Sequence, residues 1–256
     1  MSGNFNPNAP VILSIKEVHK SFGAKPVHKG VNIELHQGEI LALFGGSGTG
    51  KSVILRSIIG LEKPDSGEII FDGRDITKMN EDQLVEIRKK IGYVFQNGAL
   101  FDSMTVEMNL AYPLLAHTKL TEEQIAQKIK EMLDLIGLQG TEKLLPASLS
   151  GGMQKRVGAA RAIILGPQII LYDEPTAGLD PFNTHRLLDV MKKIQAHKGS
   201  GNTAIFVTHD LPAAFEVADR ACILYNGRIH VIDTIENIRS SKDKFVQAFL
   251  SGEEFK

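Results

Sequence analysis

Gly45-Gly46-Ser47-Gly48-Thr49-Gly50-Lys51-Ser52 is the stretch on which the reading turns. It matches the phosphate-binding pattern G-x-x-x-x-G-K-[ST]. The apolar run Ile40-Leu41-Ala42-Leu43-Phe44 leads into it as a strand, and residues 53–59 lead out with helical character. Strand, glycine-rich turn and helix are the context this pattern needs. Glycines let the backbone bend without Cβ clashes, so successive N–H groups can face a polyphosphate. The helix start adds unpaired N–H groups and partial positive charge. Lys51 is then placed to reach β- and γ-phosphates, and Ser52 to give an oxygen to Mg²⁺. A glycine-rich turn that merely precedes Lys-Ser fits the same letters, but the flanks weigh against it.

The bulk numbers narrow the class. With 256 residues, the chain is long enough for one or two domains with a large core. Its 43% hydrophobic and 23% charged residues are ordinary for a globular protein. A formal net charge of −1 gives no global basic character, so no nucleic-acid partner is expected. The single cysteine, Cys222, cannot form an internal disulfide, which suits a reducing compartment, and its apolar neighbours suit a small buried hydrophobe. Met1 to Pro10 is polar and uncharged and reads as a flexible tail, without the regions of a secretory leader. No apolar run approaches the length of a membrane helix, so work at a membrane requires docking onto another chain. The histidines are scattered without metal-ligand spacing.

Taken in order, residues 11–15, 31–35 and 67–73 read as strands of a small antiparallel sheet flanking the nucleotide core. Phe22 precedes the phosphate loop and can stack on adenine, although a core role fits a lone Phe as well. Residues 91–95 form a further strand, and Gln96 at its end falls near a ligand crevice, within reach of Mg²⁺ or an attacking water. Helical patterns then dominate from Met104 to Leu165, as an insertion in the core. Thr121 and Gln124 fit a capping box there. Leu149-Ser150-Gly151-Gly152-Met153-Gln154 is a second small-residue loop feeding a helix start. It suits a second anion site or a simple cap.

The run from Gln168 to Glu174 is apolar until it ends in two carboxylates, as in a parallel strand buried on both faces. Asp173 is placed to hold Mg²⁺. Glu174, aimed to the other side, can act as general base on water. Ala177–Pro181 turns the chain into a helix running to His197. Residues 203–207 are another buried strand, and His209 closes it on the same rim as Gln96, Asp173 and Glu174. Residues 221–225 and 228–232 read as a hairpin through Asn226-Gly227. In the tail, Phe245, Ala248 and Phe249 give an amphipathic helix that needs a surface on this chain or a partner. Truncation after Ile235 is accordingly expected to impair dimerisation or complex assembly.

Phe22, Gly45–Ser52, Gln96, Leu149–Gln154, Tyr172–Glu174 with Ala177–Asp180, and His209 stand in an order that resembles the nucleotide-binding subunit of ABC transporters. The resemblance spans residues 11–235, with 1–10 and 236–256 as tails. It implies an α/β P-loop NTPase fold: a RecA-like core with a mostly parallel sheet, an antiparallel β-subdomain and a helical subdomain over 98–165. By the same resemblance Phe22 is the adenine-stacking aromatic, Gln96 the Q-loop, Leu149–Met153 the signature, Asp180 part of the D-loop and His209 the switch histidine. Ser150 and Gly152 become γ-phosphate contacts. The family usually has Gln where Met153 stands, a departure that bears on signature detail and not on ATP use. Stretches 98–106, 172–175 and 245–253 look most like the Mla/Mce-type lipid-trafficking ATPases.

The resemblance implies ATP hydrolysis with ATP and Mg²⁺ by a homodimer arranged head to tail. Each ATP would lie between Gly45–Ser52 of one chain and Ser150–Gly152 of the other. Glu174 would activate water and Lys51 offset charge, while His209 positions the γ-phosphate and Glu174. The expected partners are multi-pass membrane permease subunits and a lipid-binding accessory subunit of Mce type. The expected place is the cytoplasmic face of a bacterial inner membrane, held peripherally. The stretch 98–115, with Leu100, Phe101, Met104, Val106 and Leu110, suits either a groove wall for a permease helix or subdomain core. An amino-acid or small-solute importer is the alternative transport reading. A non-transport ABC switch would call for long coiled coils or two ATPase modules, and a generic P-loop kinase for an acceptor site; the sequence has neither set of features.

Overall fold

The computed structural model describes residues 5–196 and 203–253. Residues 1–4 of the expected N-terminal tail, the expected helix end at His197 and Phe255 lie outside them. In chain order the strands are β1 (Val11–Phe22), β2 (Lys25–His36), β3 (Ile40–Phe44), β4 (Ser66–Phe71), β5 (Arg74–Asp75), β6 (Ile91–Val94), β7 (Ile169–Asp173), β8 (Thr203–Val207), β9 (Arg220–Tyr225) and β10 (Arg228–Thr234). The helices are α1 (Lys51–Ile58), α2 (Glu81–Lys89), α3 (Val106–His117), α4 (Glu122–Ile136), α5 (Gly151–Ile163), α6 (Pro181–Ala196), α7 (Leu211–Val217), α8 (Ile235–Arg239) and α9 (Lys244–Ser251).

Two sheets stack. A six-stranded sheet has the order β10-β9-β3-β8-β7-β6, and β9–β10 is its one antiparallel pair among the described strands. A four-stranded antiparallel sheet has the order β2-β1-β4-β5. The central strands β3 and β8 are buried at every residue, as parallel strands covered on both faces require. Their alternation splits the core. Ile40, Ala42, Phe44, Ile170, Tyr172 and Phe206 face the layer built from α3 to α9, whereas Leu41, Leu43, Leu171, Ile205 and Cys222 face α1, α2 and the antiparallel sheet. Burial pushes the Cys222 thiol up to about 12, so it stays an inert hydrophobe.

Local chemistry explains the boundaries. Asn226 (φ +48°) and Gly227 (φ +81°) both take the left-handed conformation that a two-residue hairpin turn demands. Asp72 (φ +50°) and Gly73 (φ +73°) do the same between β4 and β5. Thr121 and Gln124 form the reciprocal capping box at α4, and Gly137 closes that helix in a left-handed C-cap. β1 and β2 run much further than 11–15 and 31–35. Their charged middle faces solvent, and cross-strand hydrogen bonds with a bulge near Glu17 carry them on to a tight turn at residues 23–24.

Of the two surfaces the sequence left open for the tail, this chain or a partner, the structure shows the first. The tail forms α8 and α9, and α9 packs on its own chain. Phe245 is buried against Tyr225 and His230, with ring centroids 4.4 and 4.3 Å away. Phe249 lies 6.0 Å from Phe44, the last residue before the phosphate loop. Val246 is fully buried. Phe245→Ala is therefore expected to cost about 3 kcal/mol of folding stability in urea denaturation while leaving the sedimentation of the chain unchanged. A loss below roughly 1 kcal/mol would contradict this packing.

Candidate nucleotide site

The parallel strands β3, β6, β7 and β8 all point their C-terminal ends at one rim, the position where open α/β sheets bind ligands. Gly45–Gly50 follows β3, Gln96 lies two residues past β6, Glu174 follows β7 and His209 lies two past β8. A cleft of about 510 Å³ opens there, lined among others by Phe22, Ser47, Gly48, Lys51, Ser52, Gln96 and Glu174. Phe22 is 47% exposed at its mouth, where a flat ring can receive another.

Gly50 caps α1 with φ +100°, and a Cβ there would stand 2.4 Å from Val27 Cγ1 and 2.7 Å from His28 Nε2. Only glycine fits that approach. His28 is buried and donates from Nε2 to the Gly50 carbonyl at 3.0 Å. Burial holds its pKa below the usual imidazole range, so it braces the loop as a neutral ring. The Lys51 ammonium is buried in the curl of its own loop, donating to the carbonyls of Gly45 (2.9 Å) and Gly46 (3.0 Å). It lies 3.8 Å from Glu174 Oε1.

Ser52 Oγ donates to Asp173 Oδ1 at 2.7 Å, and the Tyr93 hydroxyl donates to Asp173 Oδ2 at 2.8 Å. Burial, together with the Asp173 charge, pushes the Tyr93 phenol far up, so it remains a donor at any working pH. Glu174 sits at φ +48°, a conformation non-glycine residues rarely adopt, and its N–H donates to Val207 O at 3.0 Å. Oε2 of Glu174 accepts from His209 Nδ1 at 3.0 Å. The β7–β8 register thus sets Glu174 beside the histidine loop.

The rim therefore brings together Phe22, Gly45–Ser52, Gln96, Asp173, Glu174 and His209. It does not bring Ser150, Gly151 and Gly152 into the cleft. Those start α5, where Ser150 Oγ accepts from Met153 N at 3.3 Å and Gly151 is exposed, so its N-terminus points outward as a capped helix. Asp180 accepts from Asn183 N at 3.0 Å and from Asn183 Nδ2 at 2.5 Å, bonds that lower its pKa.

The sequence profile described as ABC transporter matches residues 28–177, more than half of the chain. The chain belongs to the ABC transporter family. It is an ATP-binding subunit of that family and an ATPase. It is 42% identical over 242 residues to the probable ribonucleotide transport ATP-binding protein mkl of Mycobacterium leprae, covering 94% of this chain and 69% of the relative. It is 36% identical to the intermembrane phospholipid transport system ATP-binding protein MlaF of Haemophilus influenzae, covering 94% of this chain and 91% of the relative. A dimeric post-hydrolysis structure of the ATP-binding cassette MJ0796, bound to ADP and phosphate, superposes with a TM-score of 0.79 at 32% identity. That match covers 87% of this chain and 98% of the other.

Two side chains that shape this rim escaped sequence reading: Tyr93 and His28. Tyr93 pairs with Leu171 across β6–β7, which places it on the same face as Asp173, two residues on. Only the register reveals that. Lys51→Ala is expected to weaken ATP binding at least tenfold by calorimetry, since its ammonium is the one held inside the loop by the Gly45 and Gly46 carbonyls among the described residues. Unaltered affinity would contradict the assignment of this loop.

Proposed function

We propose that this ATPase powers phospholipid movement across a bacterial cell envelope, working as a pair of copies beneath a membrane permease. What carries the hydrolytic part is the Lys51–Glu174–His209 arrangement at the sheet rim. What supports the lipid part is similarity to MlaF over almost the whole of both chains. The name of the sulfate/thiosulfate import ATP-binding protein CysA of Caulobacter vibrioides, 39% identical over 243 residues, favours a second reading, a subunit of a small-solute importer.

In the proposed mechanism each ATP lies between Gly45–Ser52 of one copy and Ser150–Gly152 of the other. One phosphate loop leaves a side of the γ-phosphate open, and the outward-pointing α5 N-terminus of the second copy can cover it. Phe22 stacks on adenine, and Lys51 leaves its loop carbonyls for the phosphate oxygens. Ser52 Oγ and Asp173 Oδ1, 2.7 Å apart, are a hard-oxygen pair that suits Mg²⁺, with Gln96 beside them in the cleft. Bound there, Mg²⁺ would neutralise charge on the transferring phosphoryl group. Glu174 takes the proton of the attacking water. His209, donating to Glu174 Oε2, fixes that carboxylate and senses the γ-phosphate. Hydrolysis cuts the γ-phosphoryl from ADP, and departure of the inorganic phosphate then removes the charge that joins the copies.

No helix among the described residues is long and apolar enough to cross a membrane, which fits a peripheral subunit on the cytoplasmic face of an inner membrane. The permease contact falls on the outer face of α3. Of the two roles the sequence left open for 98–115, Val106 and Leu110 take the core one, fully buried, and the proposed groove wall is Phe101, Met108, Tyr112 and Leu115, all at least 41% exposed. An Mce-type lipid-binding subunit would complete the assembly.

Glu174→Gln is expected to bind ATP, turn it over at least a hundredfold more slowly, and sediment as a dimer with ATP alone. Full turnover removes Glu174 as the base. For the substrate, the co-purified complex in proteoliposomes should move labelled phospholipid with ATP and stop in Glu174→Gln. Movement of a nucleotide or other small solute without lipid would establish the second reading instead.

A further inference from the structure

Lys155 lies four residues into the helix that begins at Gly151, and its side chain is 8% exposed. Its ammonium donates to the carbonyl of Pro175 at 2.9 Å and to that of Ala177. No carboxylate among the described residues pairs with it, and burial alone lowers its pKa. A buried cation held only by carbonyls is a poor stabiliser, because an apolar side chain of the same length would avoid the desolvation cost. What offsets that cost is the pair of hydrogen bonds that ties α5 to the turn at Pro175 and Ala177.

Pro175 and Ala177 belong to the turn directly after Glu174. That turn is tight and strained. Glu174 sits at positive φ, Ala177 N donates back to Glu174 O at 3.1 Å, and Leu179 N to Thr176 O at 3.1 Å. A pull on its carbonyls therefore reaches the Glu174 backbone. A second fastener lies beside the first. Gly152 packs so closely on Asn183 that a Cβ would stand 2.7 Å from Asn183 Oδ1, and Asn183 holds Asp180. The first turns of α5 are thus fixed to the segment 175–183 at two points.

We propose that Lys155 is a positioning residue that couples the two nucleotide sites of the pair, by fastening the Ser-Gly-Gly helix to the turn behind Glu174. The inference rests on the shared-nucleotide pair proposed above. In that pair the α5 N-terminus of a chain grips one ATP, and Glu174 of the same chain serves the other. Capture of the first ATP draws on α5, and the ammonium carries that displacement to the base at the second. Lys155 touches neither nucleotide.

The test is steady-state hydrolysis by the full chain over a range of ATP concentrations, with nucleotide affinity measured separately by calorimetry. Lys155→Met is expected to lower kcat about tenfold, keep affinity within about twofold, and bring the Hill coefficient for ATP to about 1. Lys155→Arg, which keeps the donors, should restore most of the rate and the cooperativity. Lys155→Gln takes the place of Lys155→Met if that variant does not fold, with the same expected split. Parent-like kcat and cooperativity in the variant that folds, or a fall in affinity matching the fall in rate, overturns the inference. Glu174→Gln separates the two readings. If ATP does not pair it, the shared-nucleotide reading and this one fall together. If ATP pairs it and Lys155→Met still matches the parent, this inference alone falls.

Discussion

The carboxylate of Asp173 is the point on which the site depends. One oxygen accepts from Ser52, at the start of the helix behind the phosphate loop, and the other from Tyr93 on the edge strand β6. Two chain segments far apart in sequence are drawn to one acidic side chain on a third. The bonds are short and charge-assisted, so they fix the loop relative to the sheet better than packing alone would. The same carboxylate oxygen that accepts from Ser52 is the proposed Mg²⁺ neighbour. Structure and chemistry use one atom.

Around that point, the rim stores conformations that regular structure would not adopt. Gly50 enters α1 through a left-handed turn wedged against Val27 and His28. Glu174 leaves β7 in a left-handed conformation and is kept there by Val207 O, His209 and the Lys155-clamped turn that follows. Non-glycine residues held this way cost on the order of 1–3 kcal/mol each, and they persist where the surroundings over-determine them. The strain falls on the residue proposed to activate water, and the contacts that hold it reach to α5. In the proposed pair, nucleotide capture and hydrolysis would thereby be linked through the backbone as well as through the ligand.

Much of this was legible in the chain itself. The glycine loop announces its own turn, because few other sequences place so many glycines between a buried strand and a Lys-Ser helix start. Apolar runs ending in Gln96, Asp173-Glu174 and Thr208-His209 mark strands whose ends must share a rim once the sheet is parallel. Asn226-Gly227 and Asp72-Gly73 carry turn chemistry in two letters. What stayed hidden needed registry. Tyr93 looks like any strand aromatic until β6 is laid against β7. Lys155 looks like a solvated helix lysine until the turn at Pro175 folds over it. His28 looks like an exposed strand residue until the loop closes on it. Phe245 and Phe249 showed that they needed a surface, but sequence alone did not say that the surface was Phe44 and Tyr225 of the same chain. Length and pattern reveal local structure well; contacts between distant segments depend on strand order, which no single stretch encodes.

The family relationship fixes the reaction, and the proposed site for it lies at one rim of one sheet. The proposed second half of the site, the Ser150–Gly152 helix start, faces away from that rim in the single chain. The account requires a second copy to bring it there. A structure of the Glu174→Gln form loaded with ATP and Mg²⁺ tests this most directly. The account expects two copies with each triphosphate held between Lys51 and Ser52 of one and Ser150–Gly152 of its twin. ATP contacted by one chain alone, with both Ser-Gly-Gly helix starts open to solvent, would contradict it.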